Sequence, residues 1–432
     1  MNPVQPFTRR EFVTRGLGLV GLGATVPSFL FDTVAALAAG DAAGAGGKDG
    51  RILVVVQLAG GNDGLNTVVP FAADAYYEHR PRLAIPRGDV LKLDDNLGLH
   101  PKAEALKQLW DDGRLSIVQN VGYPNPNRSH FVGTRIWQTA SPDERMHEGW
   151  LGRYFDSECK GADPDPKMGI ALTDEMPLGM MGRKFMPIAT DDPRNWQFRG
   201  ADRVESIAGA DQPAPADADQ DMHDGETDDA KRGRKPAAPD VMTFLRRSTL
   251  DTAVCVEEIR AAARKEIAGA RFPRGRLSQS LENVARMIVA GLPTKVYYVT
   301  LGGFDTHANQ GDRHGNLLRE LGTAIQAFVR AMEKTGNLSR VVLMTFSEFG
   351  RRVAENASGG TDHGEAAPLF VVGDAVKPGL VGNSPDLSKL HRGDVAFDLD
   401  FRRVYSTMLK GWLSADADRI LGGKFQALPI LK

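Results

Sequence analysis

The chain of 432 residues is short of cysteine, of net charge and of long apolar runs, and each shortage removes a class of answers. There are two cysteines, Cys159 and Cys255. Neither stands in a Cys-x-x-Cys or zinc-knuckle spacing, which excludes thiolate metal sites and a disulfide framework. The pair either forms one disulfide or stays as two thiols. The formal net charge is −2 at pH 7. Nucleic-acid binding needs a basic stripe, so no nucleic acid is expected as a partner. Several catalytic signatures are also missing. There is no His-Glu-x-x-His, no Gly-x-Ser-x-Gly and no Walker lysine loop. There is no Cys/Ser-x-Pro-x-Arg, the segment in which a nucleophile is converted to formylglycine. What is present is 42% hydrophobic and 25% charged residues. That is a globular composition, long enough for one large α/β domain or two ordinary ones.

The N-terminus reads as an address. Thr8-Arg9-Arg10-Glu11-Phe12-Val13 is followed by a Gly/Leu/Val/Ala run from Gly16 to about Leu30, then by Ala36-Leu37-Ala38. Basic region, apolar region and small-residue cleavage site stand in the order of a secretory leader. The paired arginines resemble a twin-arginine export signal. The apolar run is glycine-rich and short for a span of ~20 residues. The expectation is a cleaved signal over 1–38, a spacer over 39–50, passage through the twin-arginine translocase, and no stable membrane span afterwards. The mature protein is then periplasmic or secreted; a retained anchor is the alternative. Gly16-Leu17-Gly18-Leu19-Val20-Gly21 matches G-x-G-x-x-G literally. No strand precedes it, and it is not read as a dinucleotide site.

Three strand-like runs carry the chemistry. Ile52–Leu58 runs into Gly60-Gly61-Asn62-Asp63-Gly64, Val296–Leu301 into Gly302-Gly303-Phe304-Asp305-Thr306-His307, and Val341–Phe346 into a loop ending Gly359-Gly360-Thr361-Asp362-His363-Gly364. In open α/β sheets, ligands bind outside the carboxyl ends of the strands. Helical spacing appears over Lys102–Asp111, Phe131–Thr139, Ala261–Ala270, Leu277–Ala290, Gly315–Lys334 and Phe401–Leu413. Strand, helix, strand from Val296 to Phe346 predicts a βαβ unit with a parallel pair. The predicted fold is a doubly wound, mostly parallel α/β sheet with helices on both faces, over 51–432. Residues 201–240 lack an apolar period and are expected to be a disordered insertion.

Asp305 and His307, two apart, share one side of an extended strand and suit Zn²⁺ or a similar divalent ion. They serve equally as a turn cap and a packed histidine. Asp362 and His363 follow two glycines, which let backbone come close to a ligand; a plain turn is the alternative. Asp63 gains weight as a ligand only beside the other two patches. His314 is either a further ligand or a polar residue at the start of a helix. Ser129 in Pro126-Asn127-Arg128-Ser129-His130-Phe131 is a natural helix N-cap. The same place suits an anion, with Ser129 as nucleophile and Arg128 clamping an oxyanion.

Gly-Gly-Asn-Asp-Gly-Leu-Asn-Thr (60–67), Arg-Ser-His-Phe (128–131), Gly-Gly-Phe-Asp-Thr-His (302–307), Ser-Glu-Phe-Gly-Arg (347–351), Gly-Thr-Asp-His-Gly (360–364) and Asp-Phe-Arg-Arg-Val-Tyr (400–405) together resemble domain-of-unknown-function family 1501. That family in turn resembles the alkaline phosphatase-like superfamily, which includes phosphatases and sulfatases. The resemblance implies a metal site from Asp63, Asp305, His307, Asp362 and His363, holding Zn, with Mn, Mg or Ca as alternatives. It implies Ser129 as nucleophile, with Thr67 a weaker candidate, and a small-molecule or glycan ester as substrate. His391 is the available late histidine. Glu348 and Arg351 receive no role from it. The activity implied is hydrolysis of phosphate or sulfate esters. A non-catalytic binding or scaffold protein on the same fold is the alternative.

Overall fold

The computed structural model describes residues 50–143, 145–159, 165–196 and 255–432. The expected leader, the spacer up to residue 49 and the insertion at 201–240 lie outside the described residues. Among the described residues no helix is long and apolar enough to cross a membrane.

One nine-stranded sheet organises the fold. Its strands, in chain order, are β1 (Ile52–Ala59), β2 (Leu115–Gly122), β3 (Gly169–Leu172), β4 (Ile188–Ala189), β5 (Val296–Gly302), β6 (Val341–Phe346), β7 (Ala367–Val372), β8 (Gly379–Val381) and β9 (Leu399–Asp400). The order across the sheet is β8-β2-β7-β6-β1-β5-β3-β4, with β9 beside β2. Only β7 runs antiparallel to its neighbours, β2 and β6. β1 lies between β5 and β6, parallel to both. The architecture is thus the doubly wound, mostly parallel α/β sheet that the strand–helix alternation predicts.

β1 is apolar almost throughout because both of its faces are covered. Side chains alternate across a strand, and the cores alternate with them. Ile52, Val54 and Val56 face α3 (Glu104–Asp111), α6 (Arg276–Ala290) and α7 (Gln310–Lys334). Leu53 and Val55 face α4 (His130–Thr139), α5 (Trp150–Glu158) and α8 (Phe401–Thr407). Two short helices, α1 (Gly64–Thr67) and α2 (Asp74–His79), follow β1.

Some expectations shift. β5, α7 and β6 form a crossover, but the two strands do not pair, because β1 is inserted between them. α7 begins at Gln310, earlier than Gly315. Its first amides are met by the carbonyls of Ser358 and Gly359, a tertiary supply for groups that every helix start leaves open. The helix expected at 261–270 instead occupies 255–263. Its apolar stripe lies upstream, on Cys255, Val256, Ile259, Ala262 and Ala263, while Gly269 takes a left-handed turn conformation. The closing helix continues past Thr407 as one π-helical turn, Met408–Trp412. Cys159 and Cys255 are not joined by a disulfide.

Candidate metal centre

The sheet order assembles the site. β6, β1 and β5 are adjacent and parallel, so the loops leaving their carboxyl ends emerge side by side. β2 points the same way and delivers the start of α4 to that edge. The loops pack too tightly for ordinary residues at two points. A Cβ on Gly60 (φ +119°) would lie 2.4 Å from the Asp305 amide nitrogen, and one on Gly360 would lie 2.3 Å from the His307 carbonyl carbon. Only glycine tolerates this approach.

Four side chains converge. His307 Nε2 lies 3.1 Å from Asp305 Oδ1 and 2.9 Å from His363 Nε2. His363 Nε2 lies 3.2 Å from Asp305 Oδ1. His130 Nε2 lies 3.5 Å from Asp305 Oδ2. One ligand atom from each of His130, Asp305 and His363 falls within 4.8 Å of the others.

The remaining ring nitrogens fix the protons. His363 Nδ1 is 2.8 Å from the Arg128 carbonyl oxygen, His130 Nδ1 is 2.9 Å from Glu348 Oε1, and His307 Nδ1 is 3.1 Å from Asp362 Oδ1. Each partner is an acceptor, so each Nδ1 carries the hydrogen. In the neutral ring Nε2 is then a bare lone pair. Three imidazole lone pairs and a carboxylate thus face one another. Holding Nδ1–H on a carboxylate or carbonyl is how proteins orient metal-ligating histidines. The donor set therefore fits a divalent cation. Burial pushes the His363 imidazole below its ordinary value, which keeps it neutral. Burial would raise Asp305, but the hydrogen bond and charge of Arg351 outweigh it and bring the carboxyl to about 2.

Arg351 braces this arrangement. Its side chain is fully buried. It donates to the carbonyls of Gly61 (2.7 Å), Thr361 (2.8 Å), Phe304 (3.1 Å) and Gly60, and to Asp305 Oδ1 (2.7 Å). One guanidinium thereby ties all three strand-end loops together. Glu348 is also buried and accepts from the Gly60 amide as well as from His130.

The positions named from sequence separate into groups. Asp305, His307 and His363 come together. Asp362 stands behind His307 as its orienting acceptor, itself held by Asn356 Nδ2 at 3.1 Å. Asp63 does not face the cluster. It is fully buried, pairs with Arg80 at 2.6 Å, accepts from Gln310 Nε2 and caps α1. Burial raises its carboxyl, but Arg80 outweighs this and the net shift is downward. Its place as a ligand is corrected to that of a buried counter-ion. Arg128 is no free clamp: its guanidinium sits on Asp394 and, at 3.5 Å, on Glu365. Its backbone carbonyl is what reaches the site. Ser129 is exposed at the N-cap of α4 and makes no side-chain cap bond. Thr67 is buried, its hydroxyl donating to Asp63 O and Asn62 Oδ1. His391 bonds Glu365 at 2.8 Å, outside the cluster. His130 is the ligand candidate that the sequence reading passed over. It was visible beside Ser129, but no second donor stands near it in the chain.

His314 belongs to a buried layer beneath the site, with Nε2 3.0 Å from Asn62 Oδ1 and its ring 6.1 Å from that of His100. Burial pushes both imidazoles down to about 4. A folded value below the unfolded one stabilises the native state above about pH 6.5 and is lost as pH falls toward 4. Each histidine contributes a slope of at most ~1.4 kcal/mol per pH unit. The urea midpoint is expected to fall between pH 6.5 and 5, and His314→Gln to reduce that slope. A midpoint flat over this interval contradicts the assignment.

Comparisons with known proteins place the chain. No curated protein of matching sequence was found. Among solved structures, the lipoteichoic acid synthase LtaP from Listeria monocytogenes is 9% identical, with 82% of this chain and 75% of that one covered, at a TM-score of 0.35. The C-terminal periplasmic domain of EptC from Escherichia coli, in complex with Zn, is 10% identical, with 75% and 73% covered, at 0.33. The PsFucS1 sulfatase from Pseudoalteromonas sp. is 10% identical, with 94% and 75% covered, at 0.34. Likeness at these scores decides nothing about chemistry. The family profile of DUF1501, described as a protein of unknown function, matches residues 51–412, and the chain belongs to that family.

Proposed function

We propose that this protein is an exported, metal-dependent hydrolase of phosphate or sulfate esters, with small-molecule or glycan esters as substrates. The observation that carries the metal reading is the convergence of three Nε2 lone pairs on Asp305, each ring locked by an acceptor on Nδ1. Imidazole-rich donors suit Zn²⁺ and other first-row ions better than Mg²⁺ or Ca²⁺, which favour oxygen. A bound divalent ion supplies Lewis acidity toward a phosphoryl or sulfuryl oxygen. The carboxylates Asp305, Asp362 and Glu348 outnumber the guanidinium of Arg351, so the pocket has negative charge for a cation to balance. Asp305 and His307 are nearly half exposed, leaving an approach from solvent. Ser129 stands at that edge with its hydroxyl free of a capping bond. The amides of the first turn of α4 favour an anion there.

The test is elemental analysis of the natively exported protein, then turnover of aryl phosphate and aryl sulfate with added Zn²⁺. Bound metal and turnover that is lost in His130→Ala are expected. Loss in Ser129→Ala assigns the attack to its hydroxyl. Absence of both metal and turnover defeats the proposal. A second reading, a non-catalytic metal-binding or scaffold protein, draws on one observation. Arg128, whose backbone carbonyl reaches the site, has its guanidinium committed to two carboxylates and is poorly placed to hold an anionic ester. Stoichiometric metal without turnover is the result expected from it.

A further inference from the structure

Gln310 lies outside the converging donors, yet it touches the loops that carry them. Its Oε1 accepts from Thr306 Oγ1 at 3.0 Å and from Thr361 Oγ1 at 2.6 Å. Its Nε2 donates to Asp63 Oδ2, and its backbone amide donates to Gly359 O at 2.9 Å. Gln310, Thr306, Thr361 and Asp63 are all fully buried.

We infer that Gln310 is a positioning residue for the metal centre, locking the His307 loop to the His363 loop and anchoring both on the buried Asp63–Arg80 pair. This rests on the metal reading above. Thr306 lies between Asp305 and His307; Thr361 stands two residues before His363. An amide offers one carbonyl oxygen with two lone pairs and one NH₂. Here the two lone pairs serve one hydroxyl on each loop, and the NH₂ serves the anchor. No other residue type of this length can do all three. Glutamate keeps the acceptors but turns an anion toward Asp63. Methionine keeps the volume and loses every bond. The Asp63–Arg80 pair is rigid because Arg80 also donates to the Val353 and Arg352 carbonyls at 2.9 Å. A displaced loop would move a ligand atom by the few tenths of an ångström that coordination notices.

Supporting groups behind metal ligands typically contribute about 10- to 100-fold in affinity. Zn²⁺ affinity is measured by competition with a chromophoric chelator, alongside the melting temperature of the metal-free protein. Gln310→Met is expected to raise the Kd by about 10- to 100-fold. Thr361→Val, which leaves the Gln310–Asp63 bond in place, is expected to raise it in the same direction. Leu281→Ala, a core change in α6, lowers the melting temperature of the metal-free protein but leaves the Kd unchanged. This separates positioning from loss of stability. An unchanged Kd in Gln310→Met overturns the inference, and if that variant does not fold, an unchanged Kd in Thr361→Val does. A wild-type protein that takes up no Zn²⁺ overturns the metal reading and this role with it.

Discussion

Asp305→Ala is expected to leave the purified protein without bound metal. Asp305 is the one carboxylate that all three Nε2 atoms face. Without it the converging donors are three imidazoles, and no carboxylate is left to meet a dication directly. Removing an orienting group already weakens metal affinity by about 10- to 100-fold, and removing a ligand costs more than that. The fold is expected to survive. Asp305 is half exposed, and Arg351 keeps its carbonyl partners when the carboxylate is gone. The check is metal content by mass spectrometry together with the melting temperature of the metal-free protein. Stoichiometric metal in Asp305→Ala would sink the site as drawn. Asp362→Ala is expected to weaken binding less, since it removes only the support of His307.

Asp63→Asn is expected to produce the largest loss of stability of any single change near the site, with metal binding largely retained. The Asp63 and Arg80 side chains are both fully buried. Breaking such a pair by removing one charge leaves the other uncompensated, at a cost of about 3–5 kcal/mol. Asparagine still accepts from Gln310, so the loops keep their anchor. Chemical denaturation measures the loss, and a double variant, Asp63→Asn with Arg80→Met, should recover part of it. A single variant within about 1 kcal/mol of wild type contradicts the pairing. The pH dependence follows the downward shift of Asp63. Its contribution is present above the ordinary carboxylate range and is lost as pH falls through the lower folded value.

Much of the frame could be read in the chain. Ile52–Ala59, Val296–Gly302 and Val341–Phe346 are runs rich in apolar and β-branched residues, the first two giving way to glycines, and such runs have few structures open to them. Asp305, His307 and His363 were legible because their loops begin where those strands stop. Asp63 was misplaced for a physical reason. A buried carboxylate looks the same in sequence whether its partner is a cation in solution or an arginine, and Arg80 sits in a segment with no motif. His130 stayed hidden because the side chains it meets, Asp305 and His363, lie more than 170 residues away in the chain. Glu348 and Arg351 had no visible role until three loops supplied the carbonyls and the imidazole that they hold. Asp362 was expected to be a metal ligand; in the fold its carboxylate accepts from His307 Nδ1 instead, a distinction that only geometry makes.

The position of β1 has a consequence for how the chain is made. Ile52 pairs with Val341, and Leu53 pairs with Val296. This strand therefore leaves the ribosome hundreds of residues before either neighbour exists. Pairings this distant in sequence are slow to form. Until they do, an unpaired sticky edge is open to other chains. The central strand of the sheet gains its first partner only once the last third of the chain has been translated.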